Sequence, residues 1–133
     1  MKFVPLCLVA IFLTACAERT TDEQQVRALF DAAEAAAESR DTSDVLELLA
    51  ADYSDSQGFD RAQLQNYLRA YFLANPHVEL LVNVQELEFP VAGLARARLG
   101  ITSLPAGDRG TLAVELRKQG GDWRVARADR VRD

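Results

Sequence analysis

The hydrophobic period of this chain changes once, at Asn75-Pro76, and that change limits it to folds with helices first and a sheet after. Upstream, Val26, Leu29, Phe30, Ala33 and Ala37 recur at helical spacing. Thr21-Asp22-Glu23-Gln24 before them is a capping-box pattern with acidic residues in the first turn, so a helix is predicted from Asp22 to Arg40. Asp41-Thr42 stops it and can cap a short second helix through Val45, Leu46, Leu48 and Leu49. The polar stretch from Ala51 to Phe59, with Ser54, Ser56 and Gly58, reads as a loop. Asp60 can cap a third helix whose stripe is Leu64, Tyr67, Leu68, Tyr71 and Phe72.

Downstream of Pro76 the pattern alternates. Val78, Leu80, Val82 and Val84 share one face of a strand running toward Phe89. Ala95, Ala97, Leu99 and Ile101 alternate with Arg96 and Arg98 in a second strand. Leu112, Val114 and Leu116 mark a third, and Trp123 and Val125 a fourth. The turn sequences Ala106-Gly107-Asp108-Arg109-Gly110 and Gly120-Gly121-Asp122 join neighbours as hairpins. The expected class is α+β, with N-terminal helices packed on a curved antiparallel sheet of about four strands.

A chain of 133 residues fits one domain, and 49% hydrophobic residues supply a packed core. The net charge of −5 comes without a basic block, which gives no support for nucleic-acid binding or for a polybasic membrane patch. The two cysteines are Cys7 and Cys16. Cys7 lies in the apolar run Phe3 to Leu13, which follows the single positive charge of Lys2. Eleven helical residues rise roughly 16 Å, too little to span a bilayer, whereas the length suits a secretory leader. Next comes Leu13-Thr14-Ala15-Cys16. This resembles the lipobox of bacterial lipoproteins.

The resemblance implies cleavage between Ala15 and Cys16, removal of residues 1–15, and acylation of Cys16, which would tie the protein to the lipid bilayer. Three acyl chains, as the family carries, make such an anchor effectively permanent, since one chain alone is marginal. Ala17 stands where lipoproteins retained at the inner membrane of enteric bacteria carry Asp, so the resemblance points to the periplasmic face of the outer membrane. Residues 16–21 would form the lipidated start and a tether whose Ala17–Thr21 part reaches at most roughly 17 Å. The mature chain would keep no cysteine for a disulfide or a redox site.

From residue 22 to the end the chain is similar to the nuclear transport factor 2-like (NTF2-like, SnoaL-like) superfamily of cone-shaped domains. The likeness lies in the element order, in Leu46, Leu49, Asp52 and Tyr53 followed by Gly58 and Asp60-Arg61, and in the closing Gly121-Asp122-Trp123-Arg124-Val125. It implies a sheet wrapped around a conical pocket. A ketosteroid-isomerase branch with this fold uses an aspartate base facing a tyrosine. Asp52, Asp55, Tyr53, Tyr67 and Tyr71 offer those residue types, but no position matches one for one, so no catalytic residue carries over.

The pocket candidates are Tyr53, Tyr67, Tyr71, Arg127 and Asp129. For the tyrosines the alternative is core aromatics with hydroxyls at a rim, and for Asp52 and Asp55 it is loop capping. Continuing the alternation of Trp123 and Val125 places Arg127 and Asp129 on the apolar face, to hold a polar ligand or simply to pair with each other. His77, the single histidine, reads as an exposed junction residue. No metal or cofactor is expected: one histidine is a poor start for a zinc site. In Asp52–Gly58 the glycine falls one place late for a calcium loop. Small residues Ala113, Ala126 and Ala128 on the outward sheet face could pack a homodimer.

Three functions stay open: a membrane-anchored, non-catalytic protein binding a small apolar or amphiphilic ligand or a protein partner in the periplasm; an acid–base isomerase or hydratase using a pocket Asp and Tyr; or a structural envelope protein with a filled cone.

Overall fold

A computed structural model describes residues 21–104 and 107–132. The leader, Ala15, Cys16, most of the tether and Ala106 lie outside the described residues. The elements run α1 (Asp22–Glu38), α2 (Thr42–Glu47), β1 (Leu49–Asp55), α3 (Arg61–Ala74), β2 (Glu79–Val91), β3 (Leu94–Leu104), β4 (Asp108–Gln119) and β5 (Asp122–Val131). The sheet order is β1-β5-β4-β3-β2, antiparallel except for the parallel β1–β5 pair.

The expected α+β architecture is present, with five strands rather than four. Leu49, expected to close the second helix, and most of the expected loop form β1. Its alternation is hidden because its pairing with β5 is irregular. Leu49 pairs with Val125 and Ser54 with Arg127, so five steps on one strand match two on the other. The strand's buried residues, Ala50 and Tyr53, are consequently three apart.

Local chemistry sets the helix starts. Thr21 Oγ1 accepts from the Gln24 amide while Gln24 Oε1 accepts from the Thr21 amide. Asp60 and Gln63 repeat the same exchange at α3. Asp41 accepts from the Asp44 amide at α2. Between β4 and β5, Gly120 and Gly121 take φ values of 59° and 88°, as a two-residue hairpin turn with both central residues left-handed requires.

Among the irregularities of the sheet, two bulges decide which side chains face the core. Val84 pairs with Leu99 but Glu86 with Arg98, leaving Gln85 extra. Glu115 pairs with Arg127 but Leu116 with Val125, leaving Ala126 extra. Each extra residue increases local twist and reverses which side chains point inward. On β2 the inward set therefore passes from Leu80, Val82 and Val84 to Leu87 and Phe89, and Phe89 meets Trp123 edge-on at 5.7 Å.

Helix α1 lies along the concave face, anchored at both ends. Asp22 Oδ1 accepts from Lys118 Nζ at 3.0 Å and from Trp123 Nε1 at 3.2 Å. Those two donors hold its carboxyl below the usual carboxylate range. Twelve residues on, Glu34 Oε1 accepts from the Val82 amide at 2.7 Å, satisfying a donor on the edge strand β2. Between the anchors, Val26, Leu29 and Phe30 join Ala95, Ala97, Leu99, Val114, Leu116, Trp123 and Val125 in one buried cluster. Among the described residues, 21–132, these elements enclose one core, and that length is sufficient for a single domain. No helix among the described residues is long and apolar enough to cross a membrane.

Candidate functional site

The hollow of interest forms where the inward rows of β3 and β4 run out of large side chains. Going along the pair, Ala97 faces Val114, Leu99 faces Leu112, Ile101 faces Gly110 and Ser103 faces Asp108. The last two pairs no longer fill the concavity. What remains is an open cavity of about 280 Å³, with Tyr53, Ile101, Leu112 and Ala128 as its apolar walls. Asp55, Ser56, Ser103 and Arg130 supply polar groups, and the exposed residues Asp108 and Arg109, which begin β4, stand at its edge.

Tyr53 is the one sequence-predicted pocket residue that reaches this cavity. Its ring is buried, and its hydroxyl donates to Asp55 Oδ2 at 2.9 Å. Burial, and then the neighbouring Asp55 carboxylate, push the phenol well above its ordinary range. Asp55 Oδ1 accepts from the amides of Gln57 at 2.9 Å and Phe59 at 3.1 Å. Asp55 therefore organises the loop into α3. With three donors aimed at it, little acceptor capacity is left toward the cavity.

Tyr67 and Tyr71 sit elsewhere. They continue a row of rings along α3, with Phe59–Tyr67 at 5.6 Å and Tyr67–Tyr71 at 6.1 Å, and Tyr67 is half exposed. Neither lines the cavity.

Arg127 and Asp129 are also displaced, for a definite reason. The bulge at Ala126 shifts the alternation by one, so Ala128 and Arg130 take the inward places opposite Val114 and Leu112. Arg127 and Asp129 turn to the convex face opposite Glu115 and Ala113, where they pair with each other at 2.7 Å. Arg127 also donates to Ser54 Oγ at 3.3 Å. The bond to Asp129 raises the guanidinium further above its ordinary value. The expected placement on the apolar face is thus corrected, and of the two roles considered the structure shows the mutual pairing. The signal for the shift was in the sequence as the adjacent apolar residues Val125-Ala126, where two alternating runs meet out of phase.

The same bulge corrects the alanine face. Ala113 is exposed on the convex side, but Ala126 is buried and Ala128 faces the cavity. Charge dominates the convex surface instead: Glu86 lies opposite Arg98, Glu88 opposite Arg96, and Arg96 opposite Glu115. Asp52 is part of that surface, held by Arg117 Nη2 at 2.8 and 2.9 Å, and this bond lowers its carboxyl. His77 is exposed after Pro76, as its junction position predicts. Among the described residues no group of three or more His, Cys, Asp or Glu side chains could hold a metal ion.

No protein-family model matches the chain, and no curated protein matches it. Solved structures do share its fold. A Nostoc punctiforme domain of unknown function with a cystatin-like fold superposes with a TM-score of 0.71 at 17% identity, over 86% of this chain and 80% of that one. An NTF2-like protein of unknown function from Pseudomonas putida gives 0.65 at 19% identity, over 84% and 86%. A Novosphingobium aromaticivorans protein provisionally named an aromatic ring hydroxylase gives 0.69 at 18% identity, over 82% and 87%. The domain has the NTF2-like, cystatin-like fold.

Proposed function

We propose that this chain is a lipid-anchored, non-catalytic binding protein that takes a small apolar or amphiphilic molecule into the cavity at the open end of its cone. The observation that carries the binding half is the cavity itself: apolar walls of Tyr53, Ile101, Leu112 and Ala128, with a few polar groups gathered at one side. At about 280 Å³ it suits a small ligand. A purely structural role would call for a filled cone.

Acid–base catalysis is the weaker reading although an Asp–Tyr pair is present. The Tyr53 phenol is held toward its protonated form, and its hydroxyl proton is already directed to Asp55. The Asp55 oxygens are turned to Tyr53 and to the loop amides. Acylation at Cys16 rests on Leu13-Thr14-Ala15-Cys16, and would hold the domain at the periplasmic face of the outer membrane.

Two experiments test the halves separately. Radiolabelled palmitate is expected to enter the wild-type chain in cells and not Cys16→Ser; an unlabelled wild type running at the unprocessed mass refutes the anchor. Native mass spectrometry of the domain from Ala17 onward, mixed with octanol, is expected to show one adduct per chain. No adduct at saturating alcohol refutes the binding role.

A further inference from the structure

We infer that the cavity prefers anionic amphiphiles, a carboxylate head on a short apolar body, and that Arg130 is the residue that receives the head. The inference rests on the binding role proposed above.

Arg130 is on the concave side because of the Ala126 bulge, and it stands opposite Leu112 in the cavity wall. Its backbone is fixed: the amide donates to Ser56 Oγ at 2.9 Å, and the Ser56 amide bonds the Ala128 carbonyl one turn of the pleat away. Its guanidinium lies over Gly110. A methyl group built there would sit 3.6 Å from Nη2 and 3.8 Å from Nε. That contact puts Nε and Nη2, a pair of donors that can grip a carboxylate in two parallel bonds, beside the wall of the cavity.

Charge accounting points the same way. Three other arginines of β4 and β5 are paired within the sheet, Arg117 with Asp52, Arg124 with Asp122 and Arg127 with Asp129, while Arg109 at the start of β4 shares with Arg130 the lack of such a pair. Arg130 has no ion pair among the described residues. Of the other ionisable groups lining the cavity, Asp55 keeps its negative charge but turns its oxygens to Tyr53, Gln57 and Phe59, while Asp108 and Arg109 are adjacent, exposed and opposite in sign. An apolar body against Ile101, Leu112 and Ala128 would place its head at the solvent-exposed guanidinium, where the charge keeps contact with water. That exposure makes the contribution modest and sensitive to salt.

The test titrates octanoate, octanol and octylamine into the isotope-labelled domain from Ala17 onward, following amide shifts by NMR after a cooperative melt has verified folding. Octanoate is expected to bind about fivefold more tightly than octanol at low salt, the range of an exposed charge pair, with octylamine weakest. Arg130→Gln should reduce octanoate to the octanol level without changing octanol. Arg130→Lys should keep part of the preference, and Arg109→Gln should keep nearly all of it.

Octylamine binding as tightly as octanoate overturns the inference. So does a preference that survives Arg130→Gln, or one that vanishes in Arg109→Gln instead. Octanol binding without head-group preference removes only this inference. Silence from all three ligands removes the binding role with it.

Discussion

Beneath the N-terminus of α1 the concave face of the sheet is closed, whereas at its far end it is open. At the closed end Leu116 and Val26 are wholly enclosed, Phe89 packs on Trp123, and Asp22 joins helix to hairpin. At the open end Ile101 faces Gly110 and Ser103 faces Asp108, so the inward rows leave space. Both ends are built on the same three central strands, β3, β4 and β5. The difference teaches that inward side-chain volume along a pair of strands, rather than topology, decides where a cone holds a core and where it holds a cavity.

The largest predicted contrast is in packing. Leu116→Ala should cost about 3 kcal/mol in urea unfolding, as for truncation of a fully buried leucine. Leu112→Ala, at the cavity wall, should cost about 1 kcal/mol, because the space beside it is already empty. Equal losses would break the distinction between the two ends.

Tyr53→Phe should cost about 1 kcal/mol by removing the hydroxyl bond to Asp55. It should also change the alkaline limb. The folded phenol holds its proton above the ordinary tyrosine value of 10.0, so this group's contribution is complete below that pH and lost as pH rises toward the folded value. The wild type should lose stability through this range, and Tyr53→Phe should lose less, read from unfolding midpoints against pH.

Asp22→Asn sharpens the comparison from the closed end. The wild-type carboxyl is depressed, so its contribution is present above the ordinary 3.8 and lost as pH falls through the lower folded value. The variant's acid unfolding should lack that component, a small change because the group is solvent-exposed. Smallest of all, Tyr67→Ser on the half-exposed ring of α3 should alter stability by less than about 0.5 kcal/mol, as surface substitutions do. A large loss would make the α3 ring row part of the core.

Much of this architecture was legible in the sequence. Capping residues and the 3.6-residue stripe located the helices, and alternation located β2 to β5, because both signals are local. What escaped was non-local. The β1 strand carries Ala-Asp-Tyr-Ser-Asp, which lacks a clean period since its parallel partner meets it in two separate stretches. The inward placement of Arg130 depends on a single inserted residue, Ala126, and a one-residue shift moves every later side chain to the opposite face. Tyr53 was identified by residue type. Its partner Asp55 and the walls Ile101, Leu112 and Ala128 become neighbours only through pairing across four strands.

The central claim is that the open end is a small-molecule site, and one measurement addresses it directly: an NMR titration of the folded domain with octanol, repeated on Ala128→Leu, which puts a larger side chain into the cavity. Saturable shifts gathered at Tyr53, Ile101, Gly110 and Leu112, and lost in the variant while its fold is kept, are the predicted result. Shifts that persist in the variant, or that gather along Tyr67 and Tyr71 instead, would contradict it.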